Sequence, residues 1–235
     1  MLEPLRHEIP GRRLVAIASE RADGDVHPMR VDAETLRARQ TAVSGRAWVM
    51  LDEVHGTAVY RAASRDASAG DAVASVGDVL VGRPGTAIAV WVADCAPVVL
   101  FDRDGSAVAC HAGWRGLAAG VIGVAVGQLA APCAAAVLGP CIHPCCYEFG
   151  ATELAEVAAG LGVDVDAISG RTSAGALALD VPAAVAVALG HHGIALDVTG
   201  GCTGCDDRWY SHRRGDPERQ AVIAWSEAAW SEVVR

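Results

Sequence analysis

The chain has 235 residues, 52% of them hydrophobic, and a formal charge of −9, enough apolar material for one sizeable core. All 19 basic residues are arginine, which excludes Schiff-base catalysis, a pyridoxal-phosphate anchor and a P-loop lysine. The acidic balance and the lack of a long basic run argue against nucleic acid or an anionic membrane as main partner, so a small molecule is the expected ligand.

Taken in chain order, the opening "MLEPLRHEIPGRR" has no apolar signal segment, and a cytoplasmic location is expected. The first strand-like run covers residues 14–18. A helix is expected over 32–43, with Asp32 as its cap and Leu36 and Val43 seven residues apart. Apolar, β-branched runs at 47–51, 87–92, 98–101 and 107–110 predict strands. The last three are separated by short turns such as "DRDG", which favours antiparallel neighbours over βαβ crossovers.

The stretch 116–142 superficially resembles a membrane span, but Pro132 and five glycines interrupt it. It reads as a helix over 117–130, with Gly116, Gly120, Gly123 and Gly127 largely on one side for close approach to a sheet, then a strand at 134–138. An amphipathic helix over 151–159, a strand at 177–179, a helix over 181–192 ending in His191 and His192, and a strand at 194–198 complete the set. The loops at 64–71 and 213–219 are too short to be domain linkers. The expectation is an α+β fold: a single domain, 1–235, with packed, mainly antiparallel sheet flanked by helices.

Three short segments carry the chemistry: "EVHG" with His55, "VADCAPVVL" with Cys95, and "CHAGWRG" with His111. Each candidate sits where a strand-like run meets a turn, so strand ends could gather all three. Two imidazoles and a thiolate suit Zn²⁺ with a fourth position open. The spacing alone leaves the alternative of two turn histidines and a buried small cysteine.

These segments, with "ADCAPVVLFD", "HAGWRGLAAGV", "GPCIHPCCYEFG" and "CTGC…WYSHRRGD", resemble the ordered signature of the laccase-domain family, also called the polyphenol oxidase or purine nucleoside phosphorylase family. The resemblance runs from about residue 48 to 225. It implies a compact α+β fold, a zinc site formed by His55, Cys95 and His111, and cytosolic enzymes acting on adenosine, inosine and methylthioadenosine. Zinc is the implied ion, with copper less favoured, and the implied partners are purine nucleosides and phosphate, with homo-oligomers left open. Glu53 stands where the family usually has glutamine.

Phosphorolysis requires a held anion and a stabilised oxocarbenium-like centre. Arg115, Arg213 and Arg214 are the candidate phosphate holders, since guanidinium forks match phosphate oxygens; the alternative for the last two is a solvated loop. Asp94 is a candidate for orienting a ligand histidine or moving a proton, although strand alternation would point it away from Cys95. Glu148 is a candidate acid or base. A zinc-activated water would also allow adenosine deamination.

Cys141, Cys145 and Cys146, with the Cys202-x-x-Cys205 pair, form a second cluster. Buried packing is the favoured reading of the first group, with structural zinc or a reversible disulfide as the alternatives. Three rival functions follow. A multicopper oxidase is opposed by the lack of any His-x-His pair. A metal-free cysteine hydrolase would use Cys95 as nucleophile and His111 as base. A nucleoside-binding or cell-wall quality-control factor would keep the site without turnover.

Overall fold

A computed structural model describes residues 4–63 and 73–229; the loop expected at 64–71 lies outside the described residues. In chain order the elements are β1 (Leu5–Ile9), β2 (Arg12–Ala18), α1 (Ala33–Ser44), β3 (Leu51–Asp52), β4 (Val59–Arg61), β5 (Ser75–Val76), β6 (Val79–Gly82), β7 (Ile88–Val92), β8 (Ala96–Asp102) and β9 (Ala107–Ala112). They continue with α2 (Trp114–Ala118), α3 (Val121–Val126), β10 (Cys133–Leu138), α4 (Ala151–Leu161), β11 (Ser169–Arg171), β12 (Leu177–Leu179), α5 (Val181–Gly190), β13 (Asp197–Val198) and β14 (Gln220–Ala228).

Two sheets form the body. One has the order β1-β2-β14-β7 and the other β13-β10-β8-β9-β6-β4. Pairing is antiparallel throughout the first and parallel only at the two edges of the second. The period-two pleat explains why the central runs are apolar without alternation. In β8, Val98 and Leu100 face a core built with Leu117, Ile122, Leu154 and Val185 of the helices. Val99 and Phe101 face the other way and meet Leu14, Ile88, Val90 and Val222 of the four-stranded sheet. On that sheet's far face, Val15, Ile17 and Ile223 pack against Leu36 and Val43 of α1. The layers therefore run helices, six-stranded sheet, four-stranded sheet, helix. This is the expected α+β fold, and the Asp32 side chain caps α1 by accepting from Thr35 N.

Four expectations change. Of residues 47–51 only Leu51 joins a ladder, as the first residue of β3 paired with Ser75, and Val49 makes one parallel bridge to Ile88; the extended segment alternates, with Trp48 and Met50 on the α1 side and Val49 and Leu51 between the sheets. The runs 87–92 and 98–101 are not neighbours. β7 pairs with β14 while β8 pairs with β9 and β10, so the chain changes sheets at residues 93–95.

The helix expected over 117–130 is two short helices, because Gly120 adopts φ 78°, a left-handed conformation no α-helix contains. The strand at 194–198 shrinks to the two residues of β13. Among the described residues no helix is long and apolar enough to cross a membrane.

In the glycine stripe a Cβ at Gly116 would lie 3.3 Å from the Gly56 carbonyl oxygen, and a far tighter approach occurs at Gly160 of α4, where a Cβ would lie 2.0 Å from the Ala118 carbonyl oxygen. Gly160→Ala is expected to push α2 off α4 and destabilise the protein by about 2 kcal/mol. Gly190→Ala, with nothing within 4 Å of the added atom, should be neutral or stabilise by about 0.5 kcal/mol. Urea denaturation of the two variants checks both.

Candidate metal centre

The register of the six-stranded sheet sets the site. Pro97 opposes His111 across β8 and β9, so Cys95 and His111 leave the same end of the sheet. Asp78 precedes β6 on the other side of β9, and its carbonyl accepts from His111 N at 2.8 Å. Its fully enclosed carboxylate does the rest: Oδ1 pairs with His111 Nδ1 at 2.8 Å and accepts from His55 N at 2.8 Å and Val54 N at 3.2 Å. Oδ2 accepts from Gly56 N at 2.7 Å. Three successive amides curling round one oxygen pair require a left-handed residue, and His55 has φ 61°.

Among the described residues the other non-glycine residue with positive φ is Asp94, at 89°, in the corner where the chain changes sheets. Its carboxylate accepts from the Thr203 hydroxyl at 2.6 Å and from Arg213 N at 2.7 Å. Ile142 N donates to its carbonyl at 2.8 Å. Both strained residues are thus overdetermined by buried carboxylates.

The ligand atoms of His55, Cys95 and His111 lie within 4.8 Å of one another. His55 Nε2 is 3.7 Å from Cys95 Sγ, and the two imidazoles meet edge to face with centroids 4.7 Å apart. Gly113 makes room: a Cβ there would lie 2.5 Å from His55 Cδ2 and 3.3 Å from Cys95 Sγ. This is the physical use of the first glycine in "HAGWRG".

Burial pushes the Cys95 thiol up, but the charge and hydrogen bonds of His111 and His55 outweigh it and bring it down to about 6. Burial alone would lower His111; Glu53, Cys95 and Asp78 together raise it well above the usual imidazole range. Glu53, its side chain nearly enclosed, is pushed by burial to about 8, with His111 pulling the other way. Its Oε1 accepts from Trp91 N at 3.0 Å. Its Oε2 has no hydrogen-bond partner and lies 3.7 Å from His111 Nδ1.

The residues fit a bound cation. Asp78 holds Nδ1 of His111 and so commits Nε2 to the open side, the arrangement that orients a metal-ligating imidazole. An acidic, partly unsatisfied cage around two imidazoles and a low-pKa thiol matches a borderline-soft ion.

Two lobes share the wall made by His55, Ala93, Cys95 and His212. One, of about 250 Å³, is lined further by Trp114, Arg115, Tyr147 and Arg213. The other, of about 230 Å³, adds His27, Glu53, Trp91, His111 and Arg219. Arg115 rests over the Trp114 ring at 4.3 Å and Arg213 over Tyr147 at 5.1 Å.

The remaining expected residues are placed as follows. Asp94 lines the first lobe but touches neither ligand histidine; it holds the turn carrying Arg213. Arg214 is outside both lobes: Nη1 donates to the carbonyls of Thr203 and Asp206 at 2.8 and 3.4 Å, and Nη2 donates to the Trp209 carbonyl and to Asp216. Glu148 is exposed, and it is its carbonyl that accepts from Arg213 Nη2, at 3.4 Å. Sequence reasoning missed Asp78, which has no local signal beyond an acidic residue before an apolar run. It also passed over His212, although that residue adjoins the arginines in "SHRRGD".

The family described as multi-copper polyphenol oxidoreductase laccase matches residues 20–227. The chain belongs to that family. A purine nucleoside phosphorylase of Pseudomonas aeruginosa is 33% identical over 207 residues, covering 86% of this chain and 82% of that one. Another, of Streptomyces coelicolor, is 40% identical over 166 residues, covering 68% and 66%. In fold, the chain resembles the crystal structure of the Bacillus licheniformis hypothetical protein YfiH, with a TM-score of 0.76 at 22% identity over 94% of this chain and 98% of that one.

In this laccase-family chain, Asp78→Ala orphans the amides of residues 54–56 and Nδ1 of His111. It is expected to destabilise the fold by about 3 kcal/mol and to weaken metal binding by about 10–100-fold. Thermal unfolding and competition with a chelator read the two effects.

Proposed function

We propose that the chain is a zinc-dependent purine nucleoside phosphorylase that cleaves adenosine, inosine and methylthioadenosine with phosphate to free base and the corresponding ribose 1-phosphate. The observation that carries this reading is the convergence of His55, Cys95 and His111 on a wall shared by two lobes; relatives named purine nucleoside phosphorylase support it. In this reading those three residues hold zinc, which supplies Lewis-acid chemistry at the shared wall.

A phosphate oxygen forms the new bond to the anomeric carbon while the glycosidic C–N bond breaks, its electron pair leaving with the purine, which takes up a proton. Arg115 and Arg213 are the phosphate holders. Each guanidinium is steadied by an aromatic face, and their combined charge favours an anion in the first lobe. Asp94 is a positioning residue, fixing the backbone of Arg213. His212, which lines both lobes and is committed to neither Asp78 nor the ligand trio, is the proton donor to the departing base.

The same thiol–imidazole contact could serve a cysteine hydrolase, but a sulfur bound to metal is not free to attack carbon. Metal content therefore separates the two. Protein purified without a histidine tag is expected to contain zinc that His111→Ala loses, and to release free base from inosine only when phosphate is present. Turnover by the fully metal-free protein, or turnover indifferent to phosphate, would overturn the reading; ammonia from adenosine would add deamination. Arg213→Ala should raise KM for phosphate by about 10-fold, while Glu148→Ala should leave it unchanged, as steady-state kinetics with varied phosphate will show.

A further inference from the structure

Among the described residues, one other group of metal-ligating atoms converges: the sulfurs of Cys145, Cys146, Cys202 and Cys205 all lie within 4.8 Å of one another. They come from two segments, the 3₁₀ turn Pro144–Cys146 and the Cys202-x-x-Cys205 turn, which are tethered by a parallel bridge between Cys141 and Cys202. The Cys146–Cys205 sulfurs are 3.2 Å apart, Cys145–Cys205 3.3 Å and Cys145–Cys202 3.5 Å. Four thiolates at about 2.3 Å from one tetrahedral ion lie about 3.8 Å from each other. A few tenths of an ångström of outward movement admits a single ion, whereas a cluster of several metal atoms has no room.

Three features surround these sulfurs. The His143 backbone N–H donates to Cys202 Sγ at 3.3 Å, a bond that suits a metal-bound thiolate. At Gly204 a Cβ would lie 2.6 Å from the Cys146 Cβ and 2.9 Å from its Sγ, so only glycine lets the second pair close on the first. The Arg214 guanidinium donates to the Thr203 and Gly204 carbonyls, setting positive charge beside what would be a net-negative centre.

We propose that Cys145, Cys146, Cys202 and Cys205 form a second, structural site for one soft divalent ion of the zinc class. Four sulfurs complete a tetrahedron and leave no open position, which distinguishes it from the His55 centre. Binding is redox-neutral: each thiol gives its proton to solvent and forms one bond to the ion. The ion ties the segment bearing Tyr147 to the one bearing Thr203, whose hydroxyl holds Asp94, and so fixes one wall of the first lobe.

The site is tested independently of the proposed activity with the full-length variant His55→Ala/His111→Ala, purified under reducing conditions. It is expected to keep one zinc per chain, and on replacement with cobalt to show an intense sulfur-to-cobalt charge-transfer band. Cys202→Ser/Cys205→Ser should lose that ion while the His55 centre keeps its own. Wild-type protein adds a readout that does not depend on either variant folding: alkylation of the exposed Cys205 should be slow with metal and fast after chelation. A histidine variant free of metal, alkylation of Cys205 indifferent to chelation, or recovery of these cysteines as disulfides from unreduced protein would overturn the proposal.

Discussion

The buried carboxylate of Asp78 is the constraint on which the site depends. A carboxylate removed from water is tolerated only when its oxygens are satisfied, and here one side chain accepts from the amides of residues 54–56 while pairing with His111. Those bonds force His55 into a left-handed backbone and fix the ring orientation of His111 in the same stroke. Two of the three candidate ligands are thus oriented by a group that is not itself in the ligand trio.

Asp94 plays the matching part for the third. It occupies the corner where the chain passes from the four-stranded to the six-stranded sheet, and its side chain draws in Thr203 and the Arg213 backbone from more than a hundred residues away. Strain at the two positive-φ positions is sustained because the surrounding hydrogen bonds leave no alternative. The two-sheet architecture matters for the same reason: a strand that ends one sheet and a strand that begins the next leave a cleft at their junction, and the candidate centre lies there.

Adjacent residues divide the labour in the segment 211–216. Ser211 is buried, His212 and Arg213 face the pocket, and Arg214 turns back to the carbonyls of its own loop. The protein is acidic overall, yet the first lobe presents two guanidiniums held on aromatic faces. Net charge sets long-range behaviour, whereas a pocket's preference follows from the few groups that line it.

The amino-acid sequence by itself determined β2, β7, β8, β9 and β10, because an apolar, β-branched run buried on two faces is a local signature, and it determined α1 through the Asp32 cap; it did not mark the inner strands β6 and β14. It also marked His55, Cys95 and His111, each at the end of such a run beside a turn. Only the tertiary structure decided that β7 and β8 belong to different sheets, that one glycine among four breaks the helix after Trp114, and that Gly160 rather than the stripe makes the close helix contact. It alone showed Asp78 as the organiser and Arg214 as a loop clamp. The reason is range: hydrophobic period and capping are fixed within a few residues, while the partners of Asp78 lie 22 to 33 residues away and strand pairing is chosen by the whole core.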